Sequence, residues 1–466
     1  MITAVSVLLL ALAPQERVAV HEDVQYAEVA RQPRRNRLDL FVPQVEAPPP
    51  LVMFVHGGSW TGGRKERFAR IGETLAGNGF ACAVINTQLF PFARPDVMVL
   101  DCAHALGYLH RHGRDYGYDG DRLFVMGHSS GAHLCSWLAY DDRKLQLAGV
   151  PKRALRGAVL LSGVYDVRAR HVALDGVFGL DARRRREASP WLYADEGDCP
   201  AYVAWAEREL PGLSLCGQLL RDELLRRGVP VRSERYALRD HANYMFQFGT
   251  RRDQVTQPVL RFLRDPTAGG DAKARASRSA MLWIAADDRE RQLGRALVDV
   301  CRPAGVEVVV QVVDDPDGER VTALYRELRA ARASAGRAPL RFAAGYGQGG
   351  LAVATSALTA ETDGLAGRVL AAVPLADRSL RQAGRGPEAF RFLAKAPLLN
   401  LLGDQDHASL RADAWHRTIL LVRDGCDASP VQLMGTTIET ALHALDGEDD
   451  LLRPMLLTFL GAARRR

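Results

Sequence analysis

Gly127-His128-Ser129-Ser130-Gly131 constrains this chain more than any other segment, because it stands between an apolar run, Arg122 to Met126, and a helix-like stretch, Ala132 to Tyr140. A serine at a tight strand-to-helix junction leaves no room for side chains on its neighbours, so glycine is needed on either side. The spacing predicts a nucleophile elbow with Ser129 at its tip. The string alone is a weak signal, and its surroundings carry the reading.

Those surroundings alternate short apolar runs with longer amphipathic ones from about Asp39 onward, the pattern of an α/β fold. Leu51 to Val55, Phe80 to Ile85, Ala158 to Ser162, Ala201 to Trp205 and Val231 to Tyr236 read as strands. Phe68 to Gly77, Val97 to His110 and Pro258 to Leu263 read as helices. From Asp265 to Ser279 almost no apolar side chain occurs, which predicts a linker. Strands then resume at Met281 to Ala285, Val306 to Val313 and Leu340 to Ala344.

With 466 residues, 47% hydrophobic and 25% charged, the chain has material for two cores and is not a disordered scaffold. The net charge of +6 comes from scattered arginines without interleaved aromatics, so no nucleic-acid partner is expected. The runs Arg183 to Arg186 and Arg464 to Arg466 read as solvated surface and a frayed terminus. Seven cysteines lie singly without CxxC spacing and read as small core residues, not as disulfides or metal ligands. The apolar segment Ala4 to Ala13 is too short to form a stable membrane span. It reads as a secretory signal within residues 1–20, implying export to the periplasm or beyond, with a buried first strand or an uncleaved anchor as alternatives and a cytoplasmic protein as the consequence of the former.

Ester hydrolysis at neutral pH needs an activated serine, a base, a carboxylate to orient the base, and donors for the oxyanion. Ser129 is the candidate nucleophile. His56-Gly57-Gly58-Ser59-Trp60 follows a strand directly, so the amides of Gly57 and Gly58 can approach a substrate, joined by that of Ser130 after the nucleophile. His56 is expected to brace the loop and Trp60 to pack. His241 lies between the last strand and the closing helix, where a base can reach the elbow. For the acid, Glu209 is chosen over Glu207; both follow the strand Tyr202 to Trp205.

These residues resemble the α/β-hydrolase fold, in the group of carboxylesterases, lipases and arylformamidases that carry HGGxW followed by GHSAGAHL. The likeness continues through Tyr116 to Arg122, Ser162-Gly163-Val164-Tyr165-Asp166, Ser189-Pro190 and Ala204 to Glu209, and covers most of Asp39 to Arg264. It departs from the group at Asn86-Thr87-Gln88, where a tyrosine and arginine are common, at Ala206 in place of glycine, and at Glu209 in place of aspartate. The resemblance implies a serine carboxylesterase acting on a small-molecule ester without a cofactor, through an acyl-enzyme on Ser129. An arylformamidase-like amide hydrolase and a catalytically decayed binding or scaffold protein are the alternatives. The segment Arg168 to Arg186 is expected to form a cap or acyl-pocket wall.

In the second half Gly345-Tyr346-Gly347-Gln348-Gly349 occupies the elbow's position with Gly347 where the serine stood, and Asp406 and His443 fall near the acid and base positions. The chain therefore reads as tandem α/β-hydrolase-like domains, each a mostly parallel sheet flanked by helices. The expected division is a catalytic domain over 21–265, a linker over 266–280, and a pseudo-hydrolase domain lacking a nucleophile over 281–466.

Overall fold

The computed structural model describes residues 18–28, 32, 35–168, 172–210 and 212–270, then most of 279–346, Val353, and residues 367–371, 398–403 and 428–433. The N-terminal half holds eight strands: β1 Val18–Gln25, β2 Arg37–Pro43, β3 Pro50–Val55, β4 Ala81–Ile85, β5 Asp119–His128, β6 Leu155–Leu161, β7 Ala201–Arg208 and β8 Val231–Asp240. They form one sheet in the order β1-β2-β4-β3-β5-β6-β7-β8. The pairs β1·β2 and β2·β4 are antiparallel, and every pair from β4 to β8 is parallel.

Parallel strands need crossovers, and the helices that supply them cover both faces. Along β5, Leu123 and Val125 enter one apolar cluster and Phe124 and Met126 the other, the period of two that a doubly covered strand requires. The first cluster is closed by the helices Pro95–Arg111, Ser130–Tyr140, Asp142–Ala148 and Leu213–Arg226, the second by Ala69–Ala76 and Thr256–Arg264. The chain crosses to one side of β3 to reach β4 and to the other to reach β5. At such a reversal the loops after the strands diverge and leave a crevice at their carboxyl ends.

Several expected boundaries move. Helix Pro95–Arg111 starts two residues before Val97 because a proline fits the first helical position, where its missing N–H costs nothing. Strand β8 runs on past Tyr236 to Asp240, beyond a register shift that pairs Arg208 with Asp240. β1 begins at Val18, so the expected boundary at residue 20 falls inside a paired strand; residues 1–17 lie outside the described set. Arg183 to Arg186 is not all solvated surface. Arg185 is fully buried in the helix Ala182–Glu187, where its guanidinium donates to the carbonyls of Gly179 and Val167 and pairs with Asp175. Six of the seven cysteines are described, and all six are buried; Cys426 lies outside the described residues.

Beyond residue 278 the described residues form a second sheet of β9 Ser279–Ala285, β10 Val306–Val312, β11 Leu340–Tyr346, β12 Gly367–Ala371, β13 Leu398–Gly403 and β14 Ala428–Leu433. Its order is β10-β9-β11-β12-β13-β14 and all its pairs are parallel. The expected linker end at 280 falls inside β9. Gly347, Gln348, Asp406 and His443 lie outside the described residues.

Candidate active site

The crevice at the carboxyl end of the first sheet collects the candidate residues from four strands. Ser129 follows β5 directly with φ 54° and ψ −122°, a left-handed conformation that a non-glycine residue adopts only when its surroundings enforce it. The enforcement is steric and hydrogen-bonded. The amide of Ser129 donates to the Leu161 carbonyl at 2.8 Å, and a Cβ on Gly131 would lie 2.1 Å from the carbonyl oxygen of Val55. The chain must turn at Ser129, and its hydroxyl is left half-buried at the tip.

His241 Nε2 lies 2.9 Å from Ser129 Oγ, and His241 Nδ1 donates to Glu209 Oε1. Because Arg208 and Asp240 are paired across β7 and β8, Glu209 and His241 each stand one residue beyond a matched pair of strand ends. The two side chains therefore meet without a long loop. Glu209 is buried, and its other contacts come from the main-chain amides of Leu210 at 2.9 Å and Ala206 at 3.2 Å and from the Ser162 hydroxyl. Burial pushes its carboxyl up, but the hydrogen bond and charge of His241, with the Ser162 and Leu210 donors, outweigh it and hold the group below the usual glutamate range. Glu207 is occupied elsewhere: it accepts from Arg235 Nη2 at 2.8 Å and the Leu238 amide at 2.7 Å.

This is the α/β-hydrolase fold.

Within the hydrolase fold, the loop after β3 presses on the elbow. A Cβ on Gly57 would lie 2.9 Å from the His128 carbonyl oxygen and 3.1 Å from Ser129 Cβ, so only glycine lets this loop sit beside the serine. Gly58 has φ +138°, closed to L side chains. Among the described residues the amides of Gly57, Gly58 and Ser130 donate to no protein acceptor, and the last opens the helix Ser130–Tyr140. Such unengaged donors beside a nucleophile can receive a developing oxyanion. His56 donates from Nδ1 to the Gly57 carbonyl at 3.0 Å and braces the loop, as expected. Trp60 packs: its indole donates to His133 Nδ1 at 3.3 Å, and its ring stands edge-on to Phe178 with centroids 4.9 Å apart.

Three features were not foreseen from sequence. Ser162, with φ 48° at the end of β6, passes the Tyr244 hydroxyl's hydrogen bond, 2.5 Å long, on to Glu209. His128, inside the elbow, donates from Nε2 to the His241 carbonyl at 2.7 Å. Asn86-Thr87-Gln88, where the resemblance breaks, is buried and tied to Tyr26, Arg35, Lys65 and Asp101. Those residues serve the packing behind the loop. In the expected cap segment, Phe178 at the end of helix Val172–Phe178 stands against Trp60 and His133, the carbonyl of Ala188 after helix Ala182–Glu187 accepts from His133 Nε2, and residues 169–171 lie outside the described set. Among the described residues no acidic, histidine or cysteine cluster could hold a metal ion, and no helix is long and apolar enough to cross a membrane.

Comparison with known proteins finds partial matches. Residues 38–157 match the family model BD-FAE, about a quarter of the chain. A protein named probable isoprenylcysteine alpha-carbonyl methylesterase from Arabidopsis thaliana is 38% identical over 103 residues, covering 22% of this chain and 22% of the relative. Kynurenine formamidase from Salmo salar is 29% identical over 134 residues, covering 28% of this chain and 43% of the relative. Esterase B from Lactobacillus rhamnosis superposes with a TM-score of 0.47 at 20% identity, over 54% of this chain and 86% of the other. The chain thus spans less than half the length of these two curated relatives.

Proposed function

We propose that the chain is a serine carboxylesterase that hydrolyses small-molecule carboxylic esters through an acyl-enzyme on Ser129. The observation that carries this reading is the hydrogen-bonded line Ser129, His241, Glu209 standing beside three unengaged amides. Ser129 Oγ attacks the ester carbonyl as its proton passes to His241 Nε2, and the amides of Gly57, Gly58 and Ser130 receive the oxyanion. Glu209 fixes the tautomer that leaves Nε2 free to accept, and its charge stabilises the imidazolium. His241 returns the proton to the leaving alcohol; a water then repeats the sequence on the acyl group. None of these steps uses a cofactor.

Similarity to a methylesterase supports the ester reading, and similarity to a kynurenine formamidase supports a second, amide hydrolysis by the same groups. Turnover of a short-chain aryl ester against an N-formyl anilide separates them. A decayed scaffold would have gained weight had Glu209 been out of reach of His241; the hydrogen bond between them supports the catalytic reading instead. A fluorophosphonate should label Ser129, and Ser129→Ala should abolish ester turnover with the fold intact. An inert Ser129 would sink both hydrolase readings.

We further propose that residues 281–466 are a second copy of the fold without a nucleophile. The order β10-β9-β11-β12-β13-β14 is that of β4-β3-β5-β6-β7-β8, and β7·β8 (Ala201 with Val231) and β13·β14 (Leu398 with Ala428) pair residues at the same sequence separation, which supports descent by duplication. A packing, dimerising or covering role follows from the glycine at 347. Export remains a proposal from the apolar N-terminus, checked by N-terminal sequencing of the mature protein.

A further inference from the structure

On the helix Ser130–Tyr140, which starts directly after Ser129, His133 and Trp137 lie four residues apart and share one face leading away from the elbow. At the far end of that face is a cleft of about 560 Å³, lined by Trp137, Lys144, Leu147, Phe178, Arg184 and Tyr193 among others. One aromatic layer separates it from the oxyanion loop. Phe178 lines the cleft with one side and stands against Trp60 and His133 with the other, at centroid distances of 4.9 and 5.4 Å.

Three features of this cleft are unspent on the fold. The Trp137 side chain is 4% exposed, yet its indole N–H has no acceptor, although a buried donor left unpaired costs about 1–3 kcal/mol. Lys144 holds its ammonium 5.2 Å above the Trp137 ring and, among the described residues, pairs with no carboxylate. Arg184 uses only its main-chain amide, toward Asp181, and its guanidinium has no acidic partner there. The other charges on the lining are already matched: Arg143 by Asp141, Arg94 by Asp96, and Glu187 by Arg183. Leu147, at 63% exposure, and Phe178 add apolar surface beside the unmatched cations.

We propose that this cleft binds a monocarboxylate with an apolar tail, the carboxylate between Lys144 and Arg184 and within reach of the Trp137 indole, the tail on Leu147 and Phe178. Two unmatched cations and one unmatched neutral donor above an apolar wall suit one anionic head with a hydrophobic body, and a cleft of this volume is in the range of small-molecule sites. Ester hydrolysis releases a molecule of this class. The identification of the natural occupant as such an acid rests on the esterase reading; the selectivity of the cleft for an anionic amphiphile does not.

The test is calorimetric titration of decanoate into the full-length Ser129→Ala protein, which separates binding here from turnover. Saturable one-to-one binding is expected, with decanol at least tenfold weaker. Lys144→Ala with Arg184→Ala should weaken decanoate at least tenfold at an unchanged melting temperature, and Trp137→Phe, which keeps the ring and removes the donor, several-fold. No saturable binding, equal affinity for decanol, or binding indifferent to these substitutions would overturn the proposal. An inactive Ser129 in the parent protein would sink the esterase reading and leave this one standing.

Discussion

His128 donates its Nε2 hydrogen to the main-chain oxygen of His241 at 2.7 Å, so the residue before Ser129 holds the loop that carries His241. The contact runs from the imidazole of His128 to a main-chain carbonyl. Burial, with the nearby His241 charge, pushes His128 down to about 4, and the ring centroids stand 4.9 Å apart. One residue thereby ties the position of Ser129 to that of His241.

If the contact positions the base, His128→Gln, whose amide nitrogen can stand where Nε2 does, should keep most activity. His128→Phe should lower kcat by about 10- to 100-fold with little change in KM, since an ångström of misplacement can cost about that much. Steady-state kinetics on an aryl ester decide it, and equal losses in both variants would reduce His128 to a packing residue.

Glu209→Gln should lower kcat by about 10²- to 10⁴-fold, because an amide at this position cannot fix the productive tautomer of His241 or stabilise its charge. Glu207→Gln removes only a partly exposed pair with Arg235 and a contact to the Leu238 amide, and should cost at most a few-fold. The reverse ranking would move the acid's role to Glu207.

Ser162→Ala removes a donor from the Glu209 carboxylate and strands the Tyr244 hydroxyl. A carboxylate that loses a donor titrates higher. The acid limb of the kcat profile should therefore move to higher pH, with turnover near neutrality reduced about tenfold. An unshifted limb would show that the Leu210 and Ala206 amides suffice.

Stability should fall as pH drops from about 6.5 to about 4. Burial pushes both His128 and His133 down to about 4 from an ordinary 6.5, so in that window the unfolded chain takes up protons that the folded chain does not. The contribution is fully present above 6.5 and declines below it by up to ~1.4 kcal/mol per pH unit for each ring. Chemical denaturation across the window should show a shallower slope for His133→Gln, measured against its own stability at pH 7. An identical slope would mean that His133 takes up its proton in the folded state.

The two glycine-flanked loops and the strand–helix alternation were legible because they are local. A turn that needs glycine at 58 and 131 has to display glycine there, and β5 shows its buried run directly. The base was legible by its place after the last strand. Glu209 was chosen over Glu207 from sequence and is the one that meets His241, but the strand pattern did not show why, since two glutamates two residues apart differ only in which of them clears the end of β7 and turns inward. Arg185 was misread for a related reason: four consecutive arginines on one short helix point in different directions, and only packing shows which one is buried.

By itself, then, the amino-acid sequence determined the elbow at Ser129, the glycine loop at 57–58 and the parallel α/β order, because steric exclusion and hydrophobic period act between near neighbours. Tertiary structure alone decided what supports them. Ser162 reaches Glu209 across 47 positions, Tyr244 reaches Ser162 across 82, and His128 reaches His241 across 113. Such contacts depend on how strand ends register in the sheet, a property of pairing that no local pattern encodes.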